Sequence, residues 1–368
     1  MVPTSASSFR SGAAEPRPPR GIPIQDAAPS PATGRRFVGS LPETHAAASG
    51  RPAANDAGVL ASLPMSTNQP IVLRLGHSPD PDDAFMWWPL FGIDGEPPEI
   101  ASPRFRFEQV EIDIEAANVR AEAGDDLLEI TALSCGQFPR VADRYAITAC
   151  GSSMGEGYGP KLVAATDLSW NEFAASRPRI ATPGRRTTAA LTLGLRMAGV
   201  EHQQVETPFE EVGDRVLAGE VEAGVVIHEG QLTFAGDGLH LLEDLGAWWG
   251  RRTDGPLPLG LNVVRRDLER THGPGTLEEI AGLLERSIAH AMEHRTRSVE
   301  YAMGFGRGID HETADRFIEL YVNRLTVDAG ARGLEAVRRL FAEATDAGLV
   351  PPVGSIEFIR GGAAATGG

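Results

Sequence analysis

A histidine and a glutamate, His228 and Glu229, follow directly on the apolar run of residues 223–227. The run predicts a buried strand, and ligands of α/β folds settle in the crevice beyond the carboxyl ends of strands. Histidine is the side chain best suited to take or give a proton near neutral pH. The pattern therefore makes His228 a candidate for acid–base chemistry. Taken by itself, however, the segment favours a histidine that only caps the end of a strand.

Two threonines stand where a polar ligand can be held. The segment Pro-Gly-Arg-Arg-Thr-Thr at residues 183–188 follows a predicted strand and is expected to turn into a helix over residues 189–197. Exposed N–H groups and hydroxyls at such a helix start can bind a carboxylate or a diol. Thr187 and Thr188 are therefore candidate ligand-binding residues, and an ordinary N-cap explains them equally well.

A loop rich in proline and aspartate follows the first predicted strand, residues 71–76. It reads Ser-Pro-Asp-Pro-Asp-Asp at residues 78–83. Its prolines favour extended or turning backbone. Asp82 and Asp83 are expected to cap a helix over residues 84–90, whose positive end is a ready anion site. A metal-binding loop is the less favoured alternative, because the acids lack a regular ligand spacing.

The remaining pattern indicates an α/β fold with two lobes. Strand–helix units come first, and a glycine-rich segment at residues 151–160 then leads into a second group of strands. That segment lets backbone approach a ligand and also suits a crossover between domains, but it lacks the Gly-Lys-Ser/Thr ending of a P-loop. A strand at residues 257–264 is expected to return to the first group. This order is typical of type 2 periplasmic-binding proteins, whose ligand cleft lies between the lobes.

The expected division of the chain follows from this order. It comprises a disordered extension (1–69), a first part of lobe 1 (70–160), lobe 2 (161–258), a return of lobe 1 with closing helices (259–348) and a tail (349–368). Ten of the 27 prolines fall in the extension, which has few large apolar residues with which to offset its conformational entropy. The short polar segment before the first strand makes Met65 the expected true start.

Composition excludes several classes of function. The net charge of −16 over 368 residues argues against a nucleic-acid partner, although a small anionic substrate remains compatible with it. No apolar run approaches the roughly 20 residues that a membrane span needs. The two cysteines suggest neither a disulfide framework nor a metal cluster. A cytoplasmic protein that acts on a small molecule is expected; the oligomeric state stays open.

Four motifs resemble those of a known family when they are taken in order. They are Ser-Pro-x-Pro-x-Asp (78–83), Ala-Leu-Ser (132–134), Gly-x-Gly-Pro-x-x-Val (157–163), and Ile-His-Glu (227–229) followed by Pro-Leu-Pro-Leu-Gly (256–260). A Tyr-Val-Asn segment (321–323) also fits. On these residues the chain, from about residue 71 to 348, resembles the menaquinone-biosynthesis family of the futalosine pathway.

The resemblance implies a two-lobed fold and a carbon–carbon lyase. The implied reaction converts cyclic dehypoxanthine futalosine to 1,4-dihydroxy-6-naphthoate and releases dihydroxyacetone, without a metal or an organic cofactor. It makes His228 the catalytic base, while Glu229 either orients and tunes the imidazole or is solvated. The substrate-binding residues that it implies are Ala132, Leu133, Ser134, Thr187 and Thr188, with Ser78 and Asp83 from the first loop.

The chain also departs from the family pattern. Asp80 and Asp82 stand where many members carry a small residue such as cysteine and an asparagine, and Gly230-Gln231 replaces a Ser-Arg of some relatives. Two other functions stay open: a solute-binding protein of the same fold without catalysis, and chorismate dehydratase of the same superfamily. The lack of a recognisable secretory signal counts against the first, and the His228-Glu229 pair favours the lyase over the second.

Overall fold

The computed structural model describes residues 69–93, 95–305 and 310–362. The expectations for residues 1–68, including a start at Met65, lie outside the described residues, as does the end of the tail after residue 362. The strands are β1 (Ile71–His77), β2 (Phe105–Glu111), β3 (Ile130–Ser134), β4 (Tyr145–Thr148), β5 (Ser153–Gly155), β6 (Lys161–Ala164), β7 (Arg179–Thr182), β8 (Gln203–Glu206), β9 (Ala223–Val226), β10 (His240–Asp244), β11 (Leu257–Arg265) and β12 (Phe358–Ile359).

Helices fill the segments between and after the strands. The α-helices are α1 (Pro81–Phe91), α2 (Ile114–Ala123), α3 (Trp170–Ala175), α4 (Thr188–Arg196), α5 (Val212–Leu217), α6 (Gly230–Thr233), α7 (Leu245–Thr253), α8 (Asp267–His272), α9 (Thr276–Glu293), α10 (Arg295–Ala302), α11 (His311–Tyr321), α12 (Arg324–Val327) and α13 (Gly330–Asp346). Short 3₁₀ segments lie at Cys135–Arg140, Phe209–Glu211 and Met303–Phe305. None of the helices in the described ranges is long and apolar enough to cross a membrane.

The first sheet has the strand order β12-β4-β11-β3-β1-β2, and β5 pairs with β11 beside it. β1 runs parallel to β2 and β3, so the carboxyl ends of β1 and β3 lie at one edge. Alternation in β2 turns Phe105 and Phe107 into the core and leaves Arg106 and Glu108 in solvent. β11 pairs antiparallel with β3 and β4, which confirms the expected return of the chain to the first sheet.

The second sheet has the order β10-β6-β9-β7-β8. β7 is parallel to β9, so their carboxyl ends also share an edge. All four residues of β9 are buried, as expected of an apolar strand at the centre of a sheet covered on both faces. A Cβ on Gly224 would lie 2.5 Å from a side-chain carbon of Val212, so this glycine lets α5 pack closely against β9. The expected α/β architecture with two lobes is confirmed.

Several predicted elements differ in their bounds. α1 begins at Pro81 rather than Ala84, because proline suits the first turn of a helix. The sequence of residues 138–145 also predicts a helix, and this prediction is wrong: a 3₁₀ segment containing Pro139 ends at Arg140, and Tyr145 is buried in β4. The apolar spacing of residues 277–303 predicts one helix, which divides at His294 into α9 and α10.

Two smaller expectations also fail. The helical spacing predicts Met292 on the buried face of α9, but it is 39% exposed one residue before the helix ends. The glycine-rich sequence after Phe358 predicts an unstructured tail, yet Phe358 and Ile359 pair with β4 as β12. Burial against α9 and the first sheet gives this short strand the support that its own sequence lacks.

Candidate active site

A cavity lies where four strand ends of the two sheets meet. The first sheet contributes the loop after β1 and the end of β3, and the second contributes the segments after β7 and β9. Seven sequence-predicted residues line the cavity, namely Ser78, Asp83, Ala132, Ser134, Thr187, Thr188 and His228. The structure thus brings together residues from four separate motifs, at the place where α/β proteins bind ligands.

Two of the predicted residues lie elsewhere. The side chain of Leu133 is fully buried in the core behind β3, because strand alternation gives the cavity face to Ala132 and Ser134. Glu229 borders a separate groove that it shares with Phe209 and other residues around α5 and α6. The expectation that Glu229 supports His228 therefore has no counterpart in the cavity lining.

His228 is positioned by an unusual backbone turn. It follows β9 with φ of 51°, in the left-handed region that few non-glycine residues adopt. Its Nδ1 lies 3.1 Å from Oδ2 of Asp80, which belongs to the loop after β1. The ring of Phe209 packs edge-on against the imidazole, with the ring centroids 4.8 Å apart. The contacts with Asp80 and Phe209 both hold the imidazole in place between the two sheets.

Asp80 is the main site residue that sequence reasoning missed. It holds the N-cap position of α1 without a side-chain cap bond, so the prediction that Asp82 and Asp83 cap this helix is wrong. The carboxylate instead accepts a hydrogen bond from Ser78 Oγ and faces His228. One feature of the sequence could have pointed to Asp80: it is an acid between two prolines at the end of a strand, where many family members carry a small residue.

Two further carboxyl groups of α1 line the same cavity. Burial raises the pKa of Asp83 to about 7, and Ser78 N–H donates to its Oδ2 at 2.8 Å. Burial, followed by the neighbouring charges of Asp83 and Asp80, raises the pKa of Asp82 well above its usual range. Part of this acidic cluster is consequently protonated near neutral pH, where it can donate hydrogen bonds to a substrate.

Ser134 is fixed from behind by a residue that the sequence did not single out. Asn118 of α2 is fully buried, and its Nδ2 donates to Ser134 Oγ at 2.9 Å. Its Oδ1 accepts from Ser134 N–H at 3.0 Å. This pair of bonds ties the end of β3 to α2 and sets the rotamer of the serine at the cavity wall.

The two threonines at the start of α4 have their hydroxyls engaged by the protein. Thr187 Oγ1 accepts from Ala190 N–H at 3.1 Å, which confirms the N-cap alternative for this residue. Thr188 Oγ1 donates to Leu259 O at 2.6 Å and accepts from Gly136 N–H at 3.0 Å. A ligand at this wall would therefore meet the positive amino end of α4 rather than two unengaged hydroxyls.

Another part of the cavity wall comes from α6 and α11. Gln231 Nε2 donates a hydrogen bond to the hydroxyl of Tyr321, which joins the second sheet's loop to a helix packed on the first sheet. Burial raises the pKa of Tyr321, so its hydroxyl stays protonated. Within the described ranges, no group of three or more His, Cys, Asp or Glu side chains is arranged to hold a metal ion. The expected absence of a cofactor stays a prediction.

Comparison with known proteins places the chain in a family. Residues 73–346 match the model of the menaquinone biosynthesis family. The chain belongs to this family. Two relatives in the family are named 1,4-dihydroxy-6-naphthoate synthase. The protein from Thermus thermophilus is 38% identical over 280 residues, covering 76% of this chain and 96% of the relative. The protein from Streptomyces coelicolor is 34% identical over 287 residues, covering 77% and 96%.

Solved structures show the same fold. A protein from Archaeoglobus fulgidus superposes with a TM-score of 0.66 at 38% identity, covering 76% of this chain and 98% of its own. The zinc-bound ligand-binding component of an ABC-type import system from Staphylococcus aureus has a TM-score of 0.57 at 13% identity, covering 79% and 96%. The alkanesulfonate-binding protein of Xanthomonas axonopodis has 0.54 at 14%, covering 77% and 95%. The expected periplasmic-binding-protein-like fold is confirmed.

Proposed function

We propose that this protein is the lyase that converts cyclic dehypoxanthine futalosine to 1,4-dihydroxy-6-naphthoate with release of dihydroxyacetone. Family membership and two relatives named 1,4-dihydroxy-6-naphthoate synthase support this function. The observation that carries it is the placement of His228 in the cavity between the sheets, in contact with a buried carboxylate. A solute-binding protein requires no such pair.

The cavity offers what this reaction requires. Cleavage of a carbon–carbon bond to give an aromatic diol needs a base to remove a proton and groups that stabilise enolate-like charge. His228 is the base in this proposal, with a contribution of roughly 10²–10⁴-fold to the rate. The amino end of α4 and the protonated carboxyls of Asp82 and Asp83 are suited to developing negative charge.

The substrate is held, in the same proposal, by the cavity-lining residues that the sequence singled out. Ser134 contributes its hydroxyl, Ala132 the adjacent apolar surface, and Thr187 and Thr188 the start of α4. Ser78 acts on the substrate indirectly, because its hydroxyl and its N–H already bind Asp80 and Asp83.

Turnover by a His228→Asn variant tests the function. Asparagine tolerates the left-handed backbone of this position, so loss of activity is not confounded by backbone strain. Purified protein is mixed with cyclic dehypoxanthine futalosine, and formation of the naphthoate is followed by chromatography. The parent should turn over, and the variant should be slower by at least about 10²-fold.

The matched control is His240→Asn, which changes an exposed histidine of β10 and should leave the rate unchanged. Binding of the substrate by the parent without turnover would contradict the lyase and favour a solute-binding protein. Formation of product by His228→Asn at the parental rate would remove His228 from the mechanism while leaving the reaction class in place.

A further inference from the structure

Asp80 and His228 meet across the cavity from different sheets. Asp80 lies in the loop after β1, and His228 follows β9. Their side chains are only 3% and 14% exposed, and Nδ1 lies 3.1 Å from Oδ2. Little water reaches a contact of this kind, so its geometry is set by the protein.

The loop holds Asp80 rigidly from its own side. Pro79 and Pro81 restrict the backbone on both sides, and Asp80 has extended angles of φ −115° and ψ 153°. Its carbonyl accepts from Ala84 N–H at 3.1 Å, which anchors it to the first turn of α1. Ser78 Oγ binds the same carboxylate oxygen that faces the imidazole. The carboxylate is thereby fixed in one orientation before any substrate arrives.

We propose that Asp80 is a positioning residue that accepts the Nδ1–H of His228 and so makes Nε2 the nitrogen that removes the substrate proton. The inference rests on the proposed function and deepens it. It assigns the role to Asp80 rather than to Glu229, which follows His228 directly in the chain but borders a different groove.

The proton balance of the step is simple. A proton leaves the substrate for Nε2, and the electron pair that it leaves behind drives cleavage of the carbon–carbon bond. Asp80 keeps its negative charge throughout and stabilises the imidazolium that forms. The proton passes from Nε2 to a product, so the ring is neutral again and no other reactant is consumed.

Other titratable groups also face the imidazole. Asp82 and Asp83 come from α1 and Tyr321 comes from α11, whereas Glu229, the next residue in the chain, borders the separate groove. Burial raises the pKa of Asp82, Asp83 and Tyr321, which favours their neutral forms. Asp80 contacts the ring directly, with 3.1 Å between Nδ1 and Oδ2, so replacing it should change the behaviour of His228.

Kinetics of an Asp80→Asn variant form the first test. The amide keeps the shape of the side chain but can donate to Nδ1, which favours the tautomer that cannot act as a base through Nε2. We expect kcat to fall on the order of 10²-fold with KM nearly unchanged. The acidic limb of the pH–rate profile should move to lower pH, because a carboxylate beside an imidazole favours its protonated form. Asp214→Asn, which changes an exposed acid of α5, should behave as the parent.

Nitrogen NMR of the parent protein provides a second test that needs no substrate. The signal of His228 among the nine histidines is assigned by its loss in His228→Asn. At a pH where the ring is neutral, a protonated Nδ1 and an unprotonated Nε2 are expected, and Asp80→Asn should lose this pattern.

The two tests separate the inference from the function on which it rests. If the parent fails to turn over the substrate, the proposed lyase is wrong, and the NMR pattern alone decides the pairing. If the parent is active and Asp80→Asn keeps its kcat and its pH profile, the role of Asp80 is overturned while the function stands. A parent ring protonated at Nε2 would overturn it as well, even if the variant does not fold.

Discussion

His228 shows how a single residue can be aimed by its backbone. Left-handed backbone costs a non-glycine residue about 1–2 kcal/mol, and the protein accepts this cost directly after a fully buried strand. The turn directs the imidazole across the cavity toward Asp80. An extended backbone at this residue would instead continue in the direction of β9. Backbone strain and buried acid–base groups thus coincide at one position, as they often do at functional sites.

The acidic cluster should leave a signature in stability. Burial raises the pKa of Asp83 to about 7, whereas an unfolded aspartate titrates near 4. Between these values the folded state holds a proton that the unfolded state releases, so this group lowers the free energy of unfolding as pH rises. In Asp83→Asn that loss is absent, and the amide oxygen can still accept from Ser78 N–H. The stability of the variant relative to the parent should therefore rise from about pH 4 to about pH 7 and then level off.

Urea unfolding of the parent and of Asp83→Asn at several pH values measures this difference. Asp346→Asn, at an exposed position that ends α13, provides the control for the exchange of Asp for Asn itself. A flat or falling difference for Asp83→Asn would show that burial does not raise the pKa of Asp83.

At the scale of the element, α4 joins the two sheets. Thr188, its first residue, binds a carbonyl of β11 and the N–H of Gly136 after β3 through one buried hydroxyl. Thr192, one turn later, is also fully buried, but its hydroxyl donates only to the carbonyl of Thr188 in the same helix. The two threonines are similarly buried, but Thr188 links α4 to the first sheet, whereas Thr192 forms its hydrogen bond within the helix.

Thr188→Val should therefore destabilise the protein more than Thr192→Val. Valine keeps the shape of threonine, but at position 188 it leaves a carbonyl and an N–H without their hydroxyl partner. Each buried polar group that loses its partner lowers the free energy of unfolding by about 1–3 kcal/mol. At position 192 the carbonyl of Thr188 belongs to the helix, so the loss should be about 1 kcal/mol or less. Denaturant unfolding of both variants measures the two costs. Equal losses would show that the hydroxyl of Thr188 does not stabilise the junction.

Sequence patterns predicted the strands better than the ends of helices. The apolar run of β9 and the return strand β11 could be located because burial imposes a recognisable periodicity. The start of α1 was missed because Pro81 can belong to a loop or to a first helical turn. The contact of Asp80 with His228 could not be predicted, since the two segments are distant in the chain and meet only when the sheets pack. Glu229 was the nearer acid in sequence, but the left-handed turn at His228 directs the two side chains to different surfaces.

At the scale of the whole molecule, polar contacts hold the cavity between the two sheets on several sides. Arg186, just before α4, pairs with Glu115 and Glu122 of α2. Gln231 and Tyr321 join α6 to α11 at the cavity wall. Contacts of this kind set how far the lobes separate when the cavity is empty.

Tyr321→Phe should loosen this closure. The change removes the acceptor of the Gln231 amide, and a net loss of about 1 kcal/mol corresponds to roughly a fivefold rise in KM. Small-angle X-ray scattering of the substrate-free variant should give a larger radius of gyration, and kinetics should give the higher KM. Tyr301→Phe on α10, away from the cavity lining, is the control and should match the parent in both measurements. Parental values for Tyr321→Phe would show that this hydrogen bond does not govern closure.

The contacts that cross the cavity align the base, but they also slow the release of product. Product release through an opening between the lobes would break the approach of Gln231 to Tyr321 and of His228 to Asp80 in each cycle. Tighter contacts would improve alignment of the base and would also lengthen the dwell time of the product. The strength of these contacts is consequently limited in two ways: weak contacts would misplace the base, and strong contacts would slow the release of product.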